Sequence, residues 1–261
     1  MKVSVIITTY RHSMCDLNRA FDSVSAQIID HNIEIIVIND NASNIFTLDH
    51  ENIKVINTGH IGMMRAYQIG FNAAKGKYIA FCDGDDYWNT NQKLQLQIEY
   101  MEANPDCGFC FTKVKTESGN KLTTMNRSAQ SINENISFDS LLRGNAHIHA
   151  QGYFIRRSTF EKYINFNKFV TLGFRVWDYP IVLELIQHTR FHCLDFHSAV
   201  FVKSEESATQ TRSRKKRASI IYGNYRIKWY YILKYGCKFS TILILFYYLA
   251  RRTYSLIFRT W

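Results

Sequence analysis

The chain has 261 residues, 46% of them hydrophobic and 21% charged, which is enough apolar content to close a core and too little charge for a disordered chain. Its net charge of +10 is unevenly placed: residues 203–261 carry 13 Lys/Arg against 2 Glu, so the first 202 residues are close to neutral. A neutral body with a basic end is not the profile of a uniformly basic nucleic-acid binder.

Met1-Lys2 runs straight into Val3–Thr8, a near-continuous apolar segment that suits a strand covered on both faces. No leader pattern is seen there, so the expectation is a cytoplasmic protein whose six cysteines stay reduced. Residues 15–29 follow as a helix, with Leu17, Ala20, Phe21, Val24 and Ile28 on one face. Glu34–Ile38 reads as a second strand that leaves through Asn39-Asp40-Asn41-Ala42-Ser43, rich in turn chemistry. Ile53–Ile56 is a third, weaker strand. Gly62–Ala74 is a helix whose Ala66, Ile69, Gly70 and Ala73 permit close packing. Gly76 stops it, and Tyr78–Cys82 is a fourth strand. This alternation fits right-handed crossovers in an α/β layer.

A helix over 91–103 ends at Asn104-Pro105. Cys107–Lys115 reads as a strand, 121–136 as polar and irregular, and Phe138–Arg143 as a short helix. Tyr153–Ile155 is a strand, 158–163 a helix, and 176–188 an amphipathic helix around Ile181, Leu183, Leu185 and Ile186. Cys107-Gly108-Phe109-Cys110 has the spacing of a redox pair or half a zinc site. It opens a strand rather than a helix and lacks further ligands nearby, so the structural reading is preferred. Beyond about residue 205 the chain becomes basic, aromatic and helical. The division expected is a body over 1–205, with parts over 1–115 and 116–205, and a tail over 206–261.

The chemistry concentrates at strand ends. Asp83-Gly84-Asp85-Asp86 follows the fourth strand directly. Such acids stand at the carboxyl edge of the sheet, where open α/β folds bind ligands. Clustered carboxylates repel unless a cation joins them, and a hard divalent ion facing a phosphorylated substrate is the simplest answer; plain turn chemistry is the alternative. No glycine follows the first strand, which counts against a dinucleotide fingerprint, and no Walker pattern is present. Instead, the edge offers Thr8, Thr9 and Tyr10 from strand one and Asp40 from strand two. An aromatic and hydroxyls can hold a base, Asp40 can accept from a pyrimidine N–H, Asp83 from ribose hydroxyls, and Asp85 can hold the metal.

Three blocks, Val3–Tyr10, Ile36–Ser43 and Ala73–Trp88, in this order and continuing through Lys93-Leu94-Gln95, resemble the inverting family 2 glycosyltransferases with the GT-A fold. The resemblance covers residues 2–115 strongly and 145–205 more weakly. It implies an α/β GT-A fold, a mostly parallel central sheet flanked by helices, with the basic helical tail appended. It further implies a nucleotide-diphospho-sugar donor, a UDP-sugar favoured, and a Mn2+ or Mg2+ ion. On this pattern Thr8 and Tyr10 line the base pocket, Asp40 contacts the base, Asp83 lies by the ribose, and Asp85 is the metal ligand. Asn39-Asp40 stands where relatives often carry Asp-Asp. Asp86 braces its neighbours or caps the next helix.

Inverting transfer also needs a base for the acceptor hydroxyl. The resemblance assigns it to Asp178 in Arg175-Val176-Trp177-Asp178-Tyr179-Pro180, where Trp177 replaces the usual Glu; an acid before a Pro-started helix is also a plain helix cap. His147-x-His149 puts two imidazoles on one strand face, open to metal binding, acceptor contact or packing.

In the tail, Arg212–Arg217 precedes Trp229-Tyr230-Tyr231 and an apolar run from Phe239 to Ala250, closed by Arg251-Arg252. That run is shorter than the ~20 residues a span requires and suits a helix lying in an anionic membrane surface; packing on the body or a homodimer seam is the alternative. Together these features point to sugar transfer onto a saccharide or lipid-linked acceptor at the inner face of the cell membrane, with no nucleic-acid partner. A nucleotidyltransferase and a non-catalytic membrane or nucleic-acid-binding module are the rival readings.

Overall fold

Seven residues, Val3–Thr9, form β1, the strand around which the sheet is built. Its side chains alternate between two cores: Val3, Val5 and Ile7 face one side and Ile6 the other. That is the period-two arrangement of a strand buried on both faces. Parallel partners lie on either side of it, β2 (Ile33–Asn39) and β4 (Tyr78–Asp83), with β3 (Ile53–Asn57) at the edge beyond β2. The structure is a computed structural model that describes residues 2–47, 52–119, 121–124, 136–144, 146–203 and 213–258.

Past β4 the sheet becomes mixed. β8 (Tyr153–Arg156) runs antiparallel between β4 and β6 (Cys107–Ser118), and β9 (Arg190–Val202) returns parallel to β6. A two-residue strand, β5 (Tyr87–Trp88), lies antiparallel on β9, and β7 (Lys121–Thr124) makes a hairpin on β6. The register sets Thr8 beside both Ile38 and Asp83, and Thr9 beside Asn39. The carboxyl ends of β1, β2 and β4 therefore share one edge.

Helices α1 (Met14–Ser25) and α3 (Lys93–Ala103) cover the face carrying Val3, Val5 and Ile7; α2 (Met63–Ala73) covers the other. Gly70 explains how closely α2 sits, because a Cβ there would come within 2.7 Å of Ile6 Cγ2. Helix α4 (Phe138–Arg143) begins in a reciprocal cap between Ser137 and Ser140 and ends at Gly144 with φ 76°. Then come α5 (Arg157–Tyr163), α6 (Phe166–Thr171) and α7 (Asp178–Leu185).

Several expectations need correction. Helix α1 stops at Ser25, not 29, and Ile28 is exposed. The chain leaves the helix so that the Gln27 side chain can donate to Thr90 O (2.6 Å) and accept from Leu94 N (3.1 Å), joining α1 to α3. Within the segment read as irregular, Lys121–Thr124 is a strand; 125–135 lie outside the described residues. Helix α7 is not amphipathic, since Pro180 through Leu185 are all buried. Strand β5 and helix α6 had no clear sequence signal.

The tail forms two helices, α8 (Arg214–Tyr235) and α9 (Phe239–Phe258). Their inner faces pack on the body: Tyr225, Ile227, Tyr231, Ile232 and Leu245 belong to the same core as Ile6, Tyr67 and Phe81. The Arg212 end of the basic run lies outside the described residues. Among the described residues, no helix is long and apolar enough to cross a membrane.

Candidate active site

The end of β4 delivers Asp83 to the sheet edge with its carboxylate enclosed by side chains from three elements. Oδ1 accepts from Thr8 Oγ1 of β1 (3.0 Å) and from the Tyr67 hydroxyl of α2; Oδ2 accepts from Gln151 Nε2 (2.8 Å). Gln151 sits in a single turn, Ala150–Gly152, just before β8. Burial and the neighbouring Asp85 push the Asp83 carboxyl up to about 6, against the lowering effect of the Tyr67 and Thr8 hydrogen bonds.

Gly84 turns the chain back under Thr8, donating to Thr8 O at 2.8 Å. A Cβ on Gly84 would meet His12 Nδ1 at 2.8 Å and Thr8 O at 3.0 Å, so only glycine lets the acids approach this edge. Asp85 remains partly exposed, with its Oδ2 3.9 Å from His12 Nε2. Asp86 is buried and acts as a brace: its Oδ1 accepts from Val202 N (2.8 Å) at the end of β9. Its Oδ2 has no hydrogen-bond partner, and burial together with Asp83 and Asp85 raises its carboxyl well above the usual range.

Asp40 reaches the same edge but turns its carboxylate into the chain. Oδ1 accepts from Thr58 Oγ1 (2.6 Å) and Ile61 N (2.7 Å), and Oδ2 from Gly62 N (2.8 Å), the N-cap residue of α2. Asp40 thus shapes the 58–62 loop, and its remaining lone pair is all it can offer a ligand. Within that loop His60 stacks on Tyr10, ring centroids 4.7 Å apart, and the Arg11 guanidinium lies 5.1 Å from the Tyr10 centroid. Arg11 and His60 both take φ 60°, the left-handed conformation. Two strained backbone positions beside one exposed aromatic stack are the mark of a constrained binding edge.

Asp178 opens α7, and Trp177 before it links the helix to α2. Trp177 stacks on Tyr67 at 3.8 Å, and Tyr67 in turn donates to Asp83. Burial raises the Asp178 carboxyl above its ordinary value, while His147 and the Tyr179 amide (2.8 Å) oppose the rise. The two histidines stand on the same side. His149 bonds through Nδ1 to Gln151 Oε1, and burial pushes it down to about 4, so the ring is neutral and fixes the amide that holds Asp83. His147 lies against it, centroids 5.6 Å apart.

The structure therefore joins Thr8 to Asp83 directly and brings Asp178 to them through Trp177 and Tyr67. Tyr10 and Asp40 share the neighbouring strand ends. Tyr67, Gln151, His12 and His60 were not singled out from sequence as site residues. Tyr67 lies within the helix read over Gly62–Ala74, and Gln151 follows the His147-x-His149 pair in a single turn. Cys107 and Cys110 are buried in β6 and unpaired, in keeping with the structural reading.

For a divalent ion, Asp85 is the residue that fits. Among the described residues no group of three or more His, Cys, Asp or Glu forms a metal cage. Asp85, partly exposed and 3.9 Å from His12 Nε2, is a single hard oxygen donor at this edge, which phosphate and water oxygens would complete around such an ion; Asp86 is committed to Val202 N.

The family model for Glycosyl transferase family 2 matches residues 4–164. The chain belongs to glycosyl transferase family 2. An uncharacterized glycosyltransferase of Nostoc sp. is 28% identical over 264 residues, covering 91% of this chain and 78% of the relative. Among solved structures, Staphylococcus aureus TarS 1–349 in complex with UDP-GlcNAc aligns with a TM-score of 0.67 at 18% identity, covering 99% of this chain and 76% of TarS 1–349. The mannosyltransferase PcManGT of Pyrobaculum calidifontis, in complex with GDP-Man and Mn2+, aligns at 0.57 with 12% identity, over 100% of this chain and 76% of PcManGT. The fold is GT-A, with a mixed sheet flanked by helices. As a family 2 member the chain is a glycosyltransferase.

Proposed function

We propose that the protein is an inverting glycosyltransferase that moves a sugar from a nucleotide-diphospho-sugar, a UDP-sugar favoured, to a hydroxyl of a saccharide or lipid-linked saccharide at the cytoplasmic face of the membrane. The observation that carries this reading is the pair of half-buried carboxyl groups on either side of the Tyr67–Trp177 stack, Asp83 on the nucleotide side and Asp178 on the other.

Tyr10, with His60, receives the base, and Asp40 holds the loop that presents His60. Asp83, pre-oriented by Thr8, Tyr67 and Gln151, accepts from the ribose hydroxyls. Asp85, with His12 beside it, is the group that would hold a Mn2+ or Mg2+ ion, which when bound neutralises the diphosphate. Asp178 takes the proton of the acceptor hydroxyl as that oxygen attacks the anomeric carbon. The C–O bond to the diphosphate breaks on the opposite face, and the nucleoside diphosphate leaves with the electron pair. Burial raises the Asp178 carboxyl, and a carboxylate so raised is a stronger base than an exposed one.

Asp178→Asn is expected to lower turnover by ~10²–10⁴-fold while nucleoside-diphosphate binding, followed by calorimetry, is kept. Product analysis tests the reaction class: nucleoside diphosphate is expected, and release of pyrophosphate would instead identify a nucleotidyltransferase. Unchanged turnover in Asp178→Asn would remove the base assignment.

A further inference from the structure

Helix α9 is attached by one side only. Thr241 and Leu245 are fully buried against the body. Half a turn away, Phe239, Leu243, Phe246, Tyr247 and Tyr254 are exposed, at 73, 54, 54, 63 and 61%. At about 100° per residue these positions and Ala250 between them fall within a stripe ~100° wide. Such a stripe in water costs free energy unless something covers it.

Charge indicates what does. Residues 213–258 contain ten Lys/Arg and no Asp or Glu. A second copy of the chain would set cations against cations. Nucleic acid answers the charge but not the apolar stripe. A surface that is negative at its head groups and apolar just beneath matches both features. We propose that α9 lies in the plane of an anionic lipid bilayer, with its Phe239–Tyr254 stripe sunk among the acyl chains and the tail cations at the head groups.

The attachment to the body is short and direct. Asp139 of α4 accepts from Lys238 N (3.1 Å) and the Thr241 hydroxyl, and Arg143 donates to Thr241 Oγ1 (2.9 Å) and Ser240 Oγ (2.8 Å). Leu141 O of the same helix accepts from the Tyr179 hydroxyl (3.1 Å), one residue after Asp178. The lipid surface is thus tied through α4 to the start of α7. The lipid contact stands on its own; its consequence, delivery of a membrane-carried acceptor to Asp178, rests on the transferase reading above.

Flotation of the full chain with phosphatidylcholine vesicles, with and without phosphatidylglycerol, tests the contact. Wild type is expected to float with the anionic vesicles at low salt and to sediment with phosphatidylcholine alone or at high salt. Leu243→Glu combined with Tyr247→Glu is expected to cut the floating fraction by about tenfold. Arg214→Gln with Lys215→Gln, a milder pair, should weaken low-salt flotation as well. Nucleoside-diphosphate binding in free solution is the control: kept in all variants, it shows that the fold and the donor site are intact whatever the lipid result. Failure of wild type to float, or flotation unaffected by the Glu variants, overturns the proposal. A wild-type dimer in gel filtration that the Glu variants dissolve, without flotation, overturns it in favour of a seam between two copies.

Discussion

Asp83 and Asp40 each accept three hydrogen bonds, but from different kinds of donor. The partners of Asp83 are side chains from β1, α2 and the turn before β8. Those of Asp40 are one hydroxyl and two backbone amides in a single loop. Perturbing the first set changes how a charge is presented; perturbing the second changes the shape of the chain. Gln151→Leu removes a hydrogen bond to a half-buried carboxylate, worth roughly 1.5 kcal/mol, so nucleoside-diphosphate affinity by calorimetry should fall about tenfold, with a smaller drop in melting temperature than Asp40→Ala gives. Asp40→Ala should weaken binding and also lower the melting temperature, because two amides at the entry to α2 lose their acceptor. Equal melting temperatures in the two variants would show that Asp40 serves the ligand rather than the loop.

At the scale of elements, α3 carries an unexpected cost. Lys93 at its start is fully buried, with its Nζ donating to Gln97 Oε1 (2.7 Å) and lying 5.0 Å from the Trp88 ring. Burial lowers the ammonium to about 7. An unfolded lysine titrates near 10.4. Between these values the unfolded chain binds the extra proton, so stability rises with pH; below about 7 both states are protonated and the full burial cost is present. Relative to Lys93→Met, wild type should therefore gain up to about 1.4 kcal/mol per pH unit between pH 7 and 9, read from urea midpoints. A flat difference would mean that the amine reaches water. Elements of this kind also show what sequence makes legible. β1, β2, β4 and α4 are written locally, the strands as short apolar runs bounded by turn residues, and their expected spans hold to within a residue or two. Strand β5 is two residues long and has no period to read; α7 is legible as a helix, but its burial from Pro180 through Leu185 leaves no polar face there. At the site, the acids are evident because they end strands. Tyr67, Gln151 and His60 reach them only through the tertiary fold, from a helix face and two loops whose spacing says nothing of where they meet.

For the molecule as a whole, the question is whether the tail is an appendage or belongs to the body. Composition separates it near residue 205, yet packing does not. Tyr231 is fully buried and donates to Pro180 O (2.9 Å), and Lys228 donates to Leu142 O (2.5 Å). Glu184, itself buried, accepts from Lys234 (2.5 Å) and Tyr235 (2.6 Å); burial alone would raise its carboxyl, but these partners outweigh it and hold it below the ordinary value. Removing residues 213–261 would strip both partners from that carboxylate and open the core where Tyr225, Ile227, Tyr231, Ile232 and Leu245 are buried. At roughly 1.5–3 kcal/mol for each large side chain, the loss matches the ~5–15 kcal/mol that holds a whole domain together. The 1–212 fragment should therefore be insoluble or lack a cooperative melt by circular dichroism, and should be cut by protease throughout α4 and α7. A fragment that melts cooperatively within a few degrees of the full chain would make the tail a true appendage. In that event Asp178 would owe its position to the body alone.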